Sequence, residues 1–284
     1  MVTYAPSPRI ERLRAQVLAD HVNARKYQGY RGLLFCEGHA AAQGHPLVVR
    51  RAHSLAHVIE RMPVEIMPDE LLVGHHYLGD ETLDFPEFRP WSEAQDVRLG
   101  DTLLSEAQRA RYKELAAQLR RDRETPSPVE PLPENILDEQ RRRIIEIWGT
   151  FLNHSIRGYD KVLKLGFEGL RAEIEAKLNA LPLSDPQAAR KRAFWQAVRI
   201  IAEAGARMGM RYAQAAQREL ATCDDAARCD ELEAIRDVCL QVPARPARTF
   251  REALQALWFA HIITCWEDGV NANGIGRIDQ LLYP

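Results

Sequence analysis

Cysteine is scarce in this sequence, and its distribution is as informative as its number. The five cysteines, Cys36, Cys223, Cys229, Cys239 and Cys265, are an odd, scattered set with no Cys-x-x-Cys pair. That excludes a disulfide-stapled secreted scaffold and a cysteine-based zinc cluster, and makes a reducing cytoplasm the expected compartment. No charge sign dominates: 38 Lys and Arg face 40 Asp and Glu, a formal net charge of −2. There is thus no basic field for nucleic acid or for an anionic membrane surface, and neither partner is expected. Long apolar runs are missing as well. None approaches the roughly 18 to 20 residues of a membrane span, and Met1 to Pro6 lacks a basic region followed by an apolar run, so neither secretion nor membrane insertion is expected.

Familiar catalytic and cofactor motifs are also absent. Gly274-Ile275-Gly276 follows a helical pattern and has no third glycine opening a new one, so it fails as a dinucleotide fingerprint. There is no phosphate-cradling Gly-Lys-Ser/Thr loop and no Gly-x-Ser-x-Gly elbow. His53 and His57 lie four apart on a helical pattern but lack the Glu that a zinc-protease motif places after its first His. The adjacent His75 and His76 follow an extended stretch, where a solvated loop is preferred to a cleft wall. Cys36 and Cys239 sit among apolar residues, where a thiol behaves as a small inert hydrophobe; packing is also the preferred reading of Cys265. No metal ligand set is expected.

What is present is a globular composition, 46% hydrophobic and 27% charged over 284 residues, enough for one large domain or two ordinary ones. Helical spacing dominates. Ile10, Leu13, Val17 and Leu18 predict one amphipathic helix and Val48, Val49, Ala52, Leu55, Ala56 and Ile59 another, with a break over 29–44, where Gly32, Gly38 and Gly44 weaken a helix. Val64 to Ile66 and Leu71 to Gly74 read as short extended runs around the turn-forming Pro68-Asp69. Prolines 126, 128, 131 and 133 make 124–133 a loop or linker between helical patterns at 106–121 and 136–152. A further helix is predicted over 159–181, and the longest over 187–221. The latter carries Ala202, Gly205, Ala206, Gly209, Ala213 and Ala216 at spacings of three and four, a small-residue stripe that allows close backbone approach, although alanine-rich helix propensity explains any one position equally well.

The last helical pattern opens with Thr249-Phe250-Arg251-Glu252, a capping box, and continues to Ile263 apolar nearly all round. Such a helix must be covered on most sides, and the few residues after the polar loop 267–276 are too little chain to cover it. Either earlier helices enclose it, or the chain is a piece of something larger. Two polar loops concentrate donors and acceptors at helix junctions: Asn153-His154-Ser155-Ile156-Arg157-Gly158-Tyr159-Asp160, and Glu267 to Gly274 with Asn271 and Asn273. For either alone, capping and turn formation explain the residues as well as ligand binding does.

Taken together, several stretches resemble the N-terminal part of the pyruvate formate-lyase (PFL) domain of glycyl radical enzymes. They are Val48-Val49-Arg50-Arg51-Ala52, Met62-Pro63-Val64-Glu65-Ile66, Asp69 to Gly74, Phe85-Pro86-Glu87, Gly158 to Leu163, Arg211-Tyr212-Ala213, Val242 to Phe250 and Glu252 to Gln255. The close, Gly276-Arg277-Ile278-Asp279-Gln280-Leu281-Leu282-Tyr283-Pro284, is similar to the family's Gly-Arg-x-Asp-Gln-x-x-Tyr-Pro signature. The likeness runs through nearly the whole chain in the family's order, so 1–284 is expected to be a partial PFL domain.

The resemblance implies radical chemistry, in which a glycyl radical regenerates a cysteine thiyl that abstracts hydrogen from a small-molecule substrate. A radical S-adenosylmethionine activating enzyme installs the glycyl radical. In the family both the radical cysteine and the radical glycine lie beyond the Gly-Arg-x-Asp-Gln signature, so none of the five cysteines here inherits the thiyl role. The implied fold is mainly α with a few short β-strands, the N-terminal part of the family's α/β barrel, supplying outer helices and one pocket wall. No cofactor is expected to bind this portion directly. The implied function is that of an N-terminal fragment or subunit, inactive alone, of an enzyme cleaving C–C, C–O or C–N bonds as a formate acetyltransferase, dehydratase or lyase. The alternative is a non-catalytic helical binding protein derived from the scaffold. Implied partners are the missing C-terminal part, the activase and a second copy as a homodimer. By position, Asn153, His154, Asn271 and Asn273 fall where members present substrate contacts, and His154 is suited to hydrogen-bonding a substrate hydroxyl or carboxylate. Several members carry His-Ser where this chain has Asn271-Ala272, a departure that argues against a diol dehydratase.

Overall fold

The local rules of helix formation account for most of the architecture. The computed structural model describes residues 5–23, 27–76, 81–88, 92–123, 133–145, 155–182, 184–268 and 273–283. Its helices are α1 (Pro8–Asn23), α2 (Tyr30–Ala41), α3 (Leu47–Arg61), α4 (Glu81–Asp84), α5 (Glu93–Gly100), α6 (Glu106–Arg123), α7 (Glu134–Arg141), α8 (Tyr159–Asn179), α9 (Ala188–Leu220), α10 (Ala226–Gln241), α11 (Phe250–Asp268) and α12 (Ile278–Leu281). The long α9 is the spine: α3, α8 and α10 pack along it, α2 lies between α3 and α6, and α11 rests on α8 and α10.

The small-residue stripe works as its spacing suggests. A Cβ added at Gly209 would come within 2.2 Å of the Val242 carbonyl oxygen and 2.4 Å of that of Cys239, and one at Gly205 within 2.9 Å of the Phe167 ring. Backbone and ring therefore sit directly on α9. At Gly166, with φ of 62°, α8 kinks, and the chain after α10 docks into the kink. There the Phe167 and Glu168 amides each donate at 2.9 Å, to the Pro243 and Ala244 carbonyls.

Several expectations are corrected. The expected break over 29–44 holds a helix, α2, because Gly32 and Gly38 are contact points: a Cβ on Gly32 would strike the Tyr112 hydroxyl and the Leu83 carbonyl, and one on Gly38 the α3 backbone. The expected short strands are not strands. Val64 to Ile66 and Leu71 to Gly74 run extended without a ladder, and Gln255 on α11 pairs with the Val73 backbone instead. Among the described residues the β pairing is a parallel bridge between Ile156 and Gly274. The helix expected over 136–152 ends at Arg141, and Arg143 takes a positive φ of 57°. Residues 124–132 of the expected linker, and 146–154 of that helix and the loop after it, lie outside the described residues. The α1 stripe leaves Ile10, Val17 and Leu18 exposed, with Arg9 and Arg12 tying the helix to Asp69.

The apolar α11 is enclosed by earlier elements to a greater extent than its composition and the little chain after it suggest. From Arg251 onward no residue of the helix is exposed; Arg251, Ala253 and Glu267 are half-covered, as is a stripe of Leu254, Trp258, His261 and Thr264. The helix thus has no open hydrophobic flank, only half-covered positions. The capping box forms on one side, the Glu252 amide donating to Thr249 Oγ1 at 3.2 Å. The Glu252 carboxylate reaches one residue further than expected, accepting from the Arg248 amide at 2.6 Å and from its guanidinium at 2.7 Å. No described helix is long and apolar enough to cross a membrane.

Candidate functional site

The two polar loops flagged in the sequence meet. One enters α8 and the other leaves α11, and the Ile156–Gly274 bridge joins them side by side. Gly276, with φ of 81°, lets Ile156 close over the second loop: a Cβ there would lie 2.8 Å from Ile156 Cγ2. Beneath the bridge, Arg157 donates to the Asp268 carboxylate and, at 3.1 Å, to Asn273 Oδ1. Asn273 Nδ2 donates to Asp268 Oδ1 at 3.1 Å, closing a triangle of three side chains. Asp268 is the last residue of α11, where the helix dipole disfavours a negative charge. The half-buried guanidinium offsets that cost and lets a carboxylate only 3% exposed remain there.

Beside the triangle lies a second polar row on the half-covered stripe of α11. Tyr159, at the start of α8, places its hydroxyl 3.1 Å from His261 Nδ1 and 3.3 Å from Thr264 Oγ1, and His261 Nε2 lies 3.7 Å from Cys265 Sγ. Trp258 stacks on His261 at a centroid distance of 5.6 Å. Burial lowers the His261 pKa and raises those of Tyr159 and Cys265, so all three favour their neutral forms. The row can pass hydrogen bonds but holds no activated thiolate. His76 joins it from the preceding segment, its pKa lowered by burial and by the neighbouring His261 and His75. His75 sits 2.7 Å from Glu70. Both histidines are thus half-buried against structure instead of standing in a solvated loop.

Of the sequence-proposed contacts, Asn273 is brought into the triangle, whereas Asn153, His154 and Asn271 lie outside the described residues. Sequence reasoning assigned no role to Arg157 or Asp268, although each lies in a flagged loop. Their opposite charges were visible in the sequence, but not that the two loops meet. His53 and His57 are half-buried on α3: the His53 ring lies 5.6 Å from that of His45, and His57 Nε2 lies 3.4 Å from Glu37. Among the described residues, no group of three or more His, Cys, Asp or Glu is placed to hold a metal. Burial pushes the Cys36 thiol up strongly and the Cys239 thiol to about 12, in keeping with inert packing roles.

Residues 4–284 match the family model described as pyruvate formate lyase-like. The chain belongs to this family. Glycyl radical enzymes are among its relatives. It is 30% identical to isethionate sulfite-lyase of Oleidesulfovibrio alaskensis, with 89% of this chain matching 33% of the relative. It is 29% identical to trans-4-hydroxy-L-proline dehydratase of Clostridioides difficile, with 89% of this chain matching 34% of the relative. The crystal structure of hydroxyproline dehydratase from that organism, with its substrate trans-4-hydroxy-L-proline bound, superposes with a TM-score of 0.79 at 26% identity, covering 98% of this chain and 36% of the other. A glycyl radical enzyme from Archaeoglobus fulgidus superposes with a TM-score of 0.69 at 26% identity, covering 94% of this chain and 36% of the other. The pyruvate formate lyase-like chain thus spans about a third of the length of the curated relatives it matches.

Proposed function

We propose that the chain forms the N-terminal helical scaffold and one substrate-pocket wall of a glycyl radical enzyme of dehydratase or lyase type, working on a small polar molecule by radical C–O, C–N or C–C cleavage. The observation that carries the reading is the Arg157–Asp268–Asn273 triangle. It locks together the two loops on which family resemblance expects substrate contacts, and it gives them a buried, hydrogen-bonded base. A pocket wall must hold its ligand within a fraction of an ångström to favour the reacting geometry, and charge-assisted hydrogen bonds between loops supply that stiffness. In this reading Asn153, His154 and Asn271 present amide and imidazole groups to substrate, while Asn273, whose amide is engaged at both ends in the triangle, holds their loops in place. The relatives named as dehydratases and as a sulfite-lyase favour elimination over acetyl transfer.

In this reading the strands of the barrel, the thiyl cysteine and the glycyl radical belong to a C-terminal portion, and a radical S-adenosylmethionine activase installs the radical. The completed enzyme is a homodimer working in the cytoplasm. The portion described here binds, orients and excludes water; it carries no step of hydrogen abstraction.

The test is anaerobic activation of the enzyme completed by its C-terminal portion, joined or separate. A glycyl radical signal and turnover should require both portions. An Arg157→Ala version should keep the radical signal while its KM rises about tenfold, the size of one lost charge-assisted hydrogen bond. Turnover by this chain alone, or an activated assembly without a glycyl signal, would overturn the proposal.

A further inference from the structure

A cleft framed by α2, α3, α6, the turn after α4 and the end of α11 lies next to the loop junction: Glu267 lines it, but none of Arg157, Asp268 and Asn273 does. It encloses about 380 Å³, within the range of small-molecule sites. Phe35, Phe88 and Leu119 give its walls apolar surface beside the His39 imidazole, and Leu47 stands at the mouth, largely exposed. At the mouth, too, Arg51 and Glu267 pair at 2.8 Å and cancel each other's charge.

The floor is unusual. Glu87 lines it with its side chain only 4% exposed, and the fully buried Arg31 supplies the countercharge, Nη1 lying 2.6 Å from Oε1. Yet, among the described residues, neither carboxylate oxygen has a hydrogen-bond donor. Arg31 aims its N–H groups elsewhere: Nη1 at the Asp84 carbonyl, 3.0 Å away, and Nε at the Trp266 carbonyl, 2.9 Å away. Its guanidinium plane is held between the Phe35 and Phe85 rings at 4.4 and 4.1 Å. Glu87 is therefore matched in charge and unmatched in hydrogen bonds, and its lone pairs border an apolar cleft. Buried acceptors without donors are rare enough in folded proteins to call for an explanation.

We propose that this cleft binds a small primary amine with a short apolar body, its ammonium donating to Glu87 and its hydrocarbon lying against Phe35, Phe88 and Leu119. An ammonium brings three donors, and its charge-assisted bonds to a carboxylate are stronger than those of a neutral hydroxyl. A ligand carboxylate in the same place would face Glu87 with like charge. The inference is independent of the radical-enzyme reading, since the groups that would hold the amine, Glu87, Phe35, Phe88 and Leu119, lie outside both polar loops.

Calorimetric titration of the full chain with n-pentylamine hydrochloride, 1-pentanol and pentanoate at neutral pH tests it. The amine should bind saturably and about tenfold more tightly than the alcohol, with no binding of pentanoate. Glu87→Gln should erase the preference for amine over alcohol. Because that variant leaves Arg31 buried without its countercharge, Leu47→Trp provides a second reading: it crowds the mouth without touching the pair, and should weaken amine binding about tenfold at an unchanged melting temperature. Equal binding of amine and alcohol, no saturable amine binding, or undiminished binding by Leu47→Trp with its fold intact would overturn the proposal.

Discussion

Gln255 acts as a strand partner for Val73. Its side-chain oxygen accepts from the Val73 amide at 2.9 Å and its side-chain nitrogen donates to the Val73 carbonyl at 2.8 Å. One buried side chain thus satisfies both backbone groups of an extended segment that has no sheet to join. Gln255→Leu should leave two buried backbone groups unpaired and cost about 2 to 6 kcal/mol, at roughly 1 to 3 for each group. Urea denaturation measures it; a loss under about 0.5 kcal/mol would mean the segment finds other partners.

The loop triangle predicts an asymmetry. Removing Arg157 strands a carboxylate that is 3% exposed, whereas removing the charge of Asp268 leaves a guanidinium that is 19% exposed and able to turn toward water. Arg157→Ala should therefore cost about 3 kcal/mol and Asp268→Asn about 1 to 2. Denaturant midpoints for the pair would refute this ordering if the Asp268 variant proved the weaker.

Glycine substitution should separate a contact point from an open surface. Gly209→Ala drives a methyl group into the carbonyl oxygens of Val242 and Cys239 and should destabilise by about 3 kcal/mol. Gly100→Ala, at the end of α5, has nothing within 4 Å of the new Cβ and should be neutral or stabilising by about 0.5 kcal/mol. Thermal melts of the two proteins should move in opposite directions or differ by many degrees.

Stability should fall as the solution is acidified below neutrality. Burial lowers the pKa of His39, His76 and His261 from 6.5, with Arg50 adding to the effect at His39. The unfolded chain therefore takes up protons that the folded chain refuses, so their contribution is full above about 6.5 and is lost as pH falls through the lowered values. Glu219, whose pKa burial raises, acts in the opposite sense. The histidine contribution is read from the difference between wild type and His39→Gln: the variant should show the shallower loss between pH 7 and pH 5 in urea midpoints, and parallel curves would count against it.

The sequence was most legible where local and tertiary demands agree. The α3, α6, α8 and α9 spans, the stripe on α9 and the Thr249 cap all follow from periodicity and capping rules. It was least legible where tertiary contact overrode propensity. The glycines in α2 reduce helix propensity, yet they are where Tyr112 and α3 approach, so the helix forms because it is packed. At the loop junction, Asn273 was readable as part of a polar loop. Its coupling to Arg157 was not, because nothing local announces that two loops far apart in sequence share one hydrogen-bonded base. The Arg31–Glu87 pair was hidden for the same reason.

The single rung of parallel pairing between Ile156 and Gly274 has a mechanical meaning. Clamped by Arg157 below and capped by the Ile156 side chain above, the entrance of α8 and the exit of α11 move as one piece. A displacement imposed at either segment is transmitted to the other, so substitutions in the two should produce overlapping defects even when the altered residues never touch.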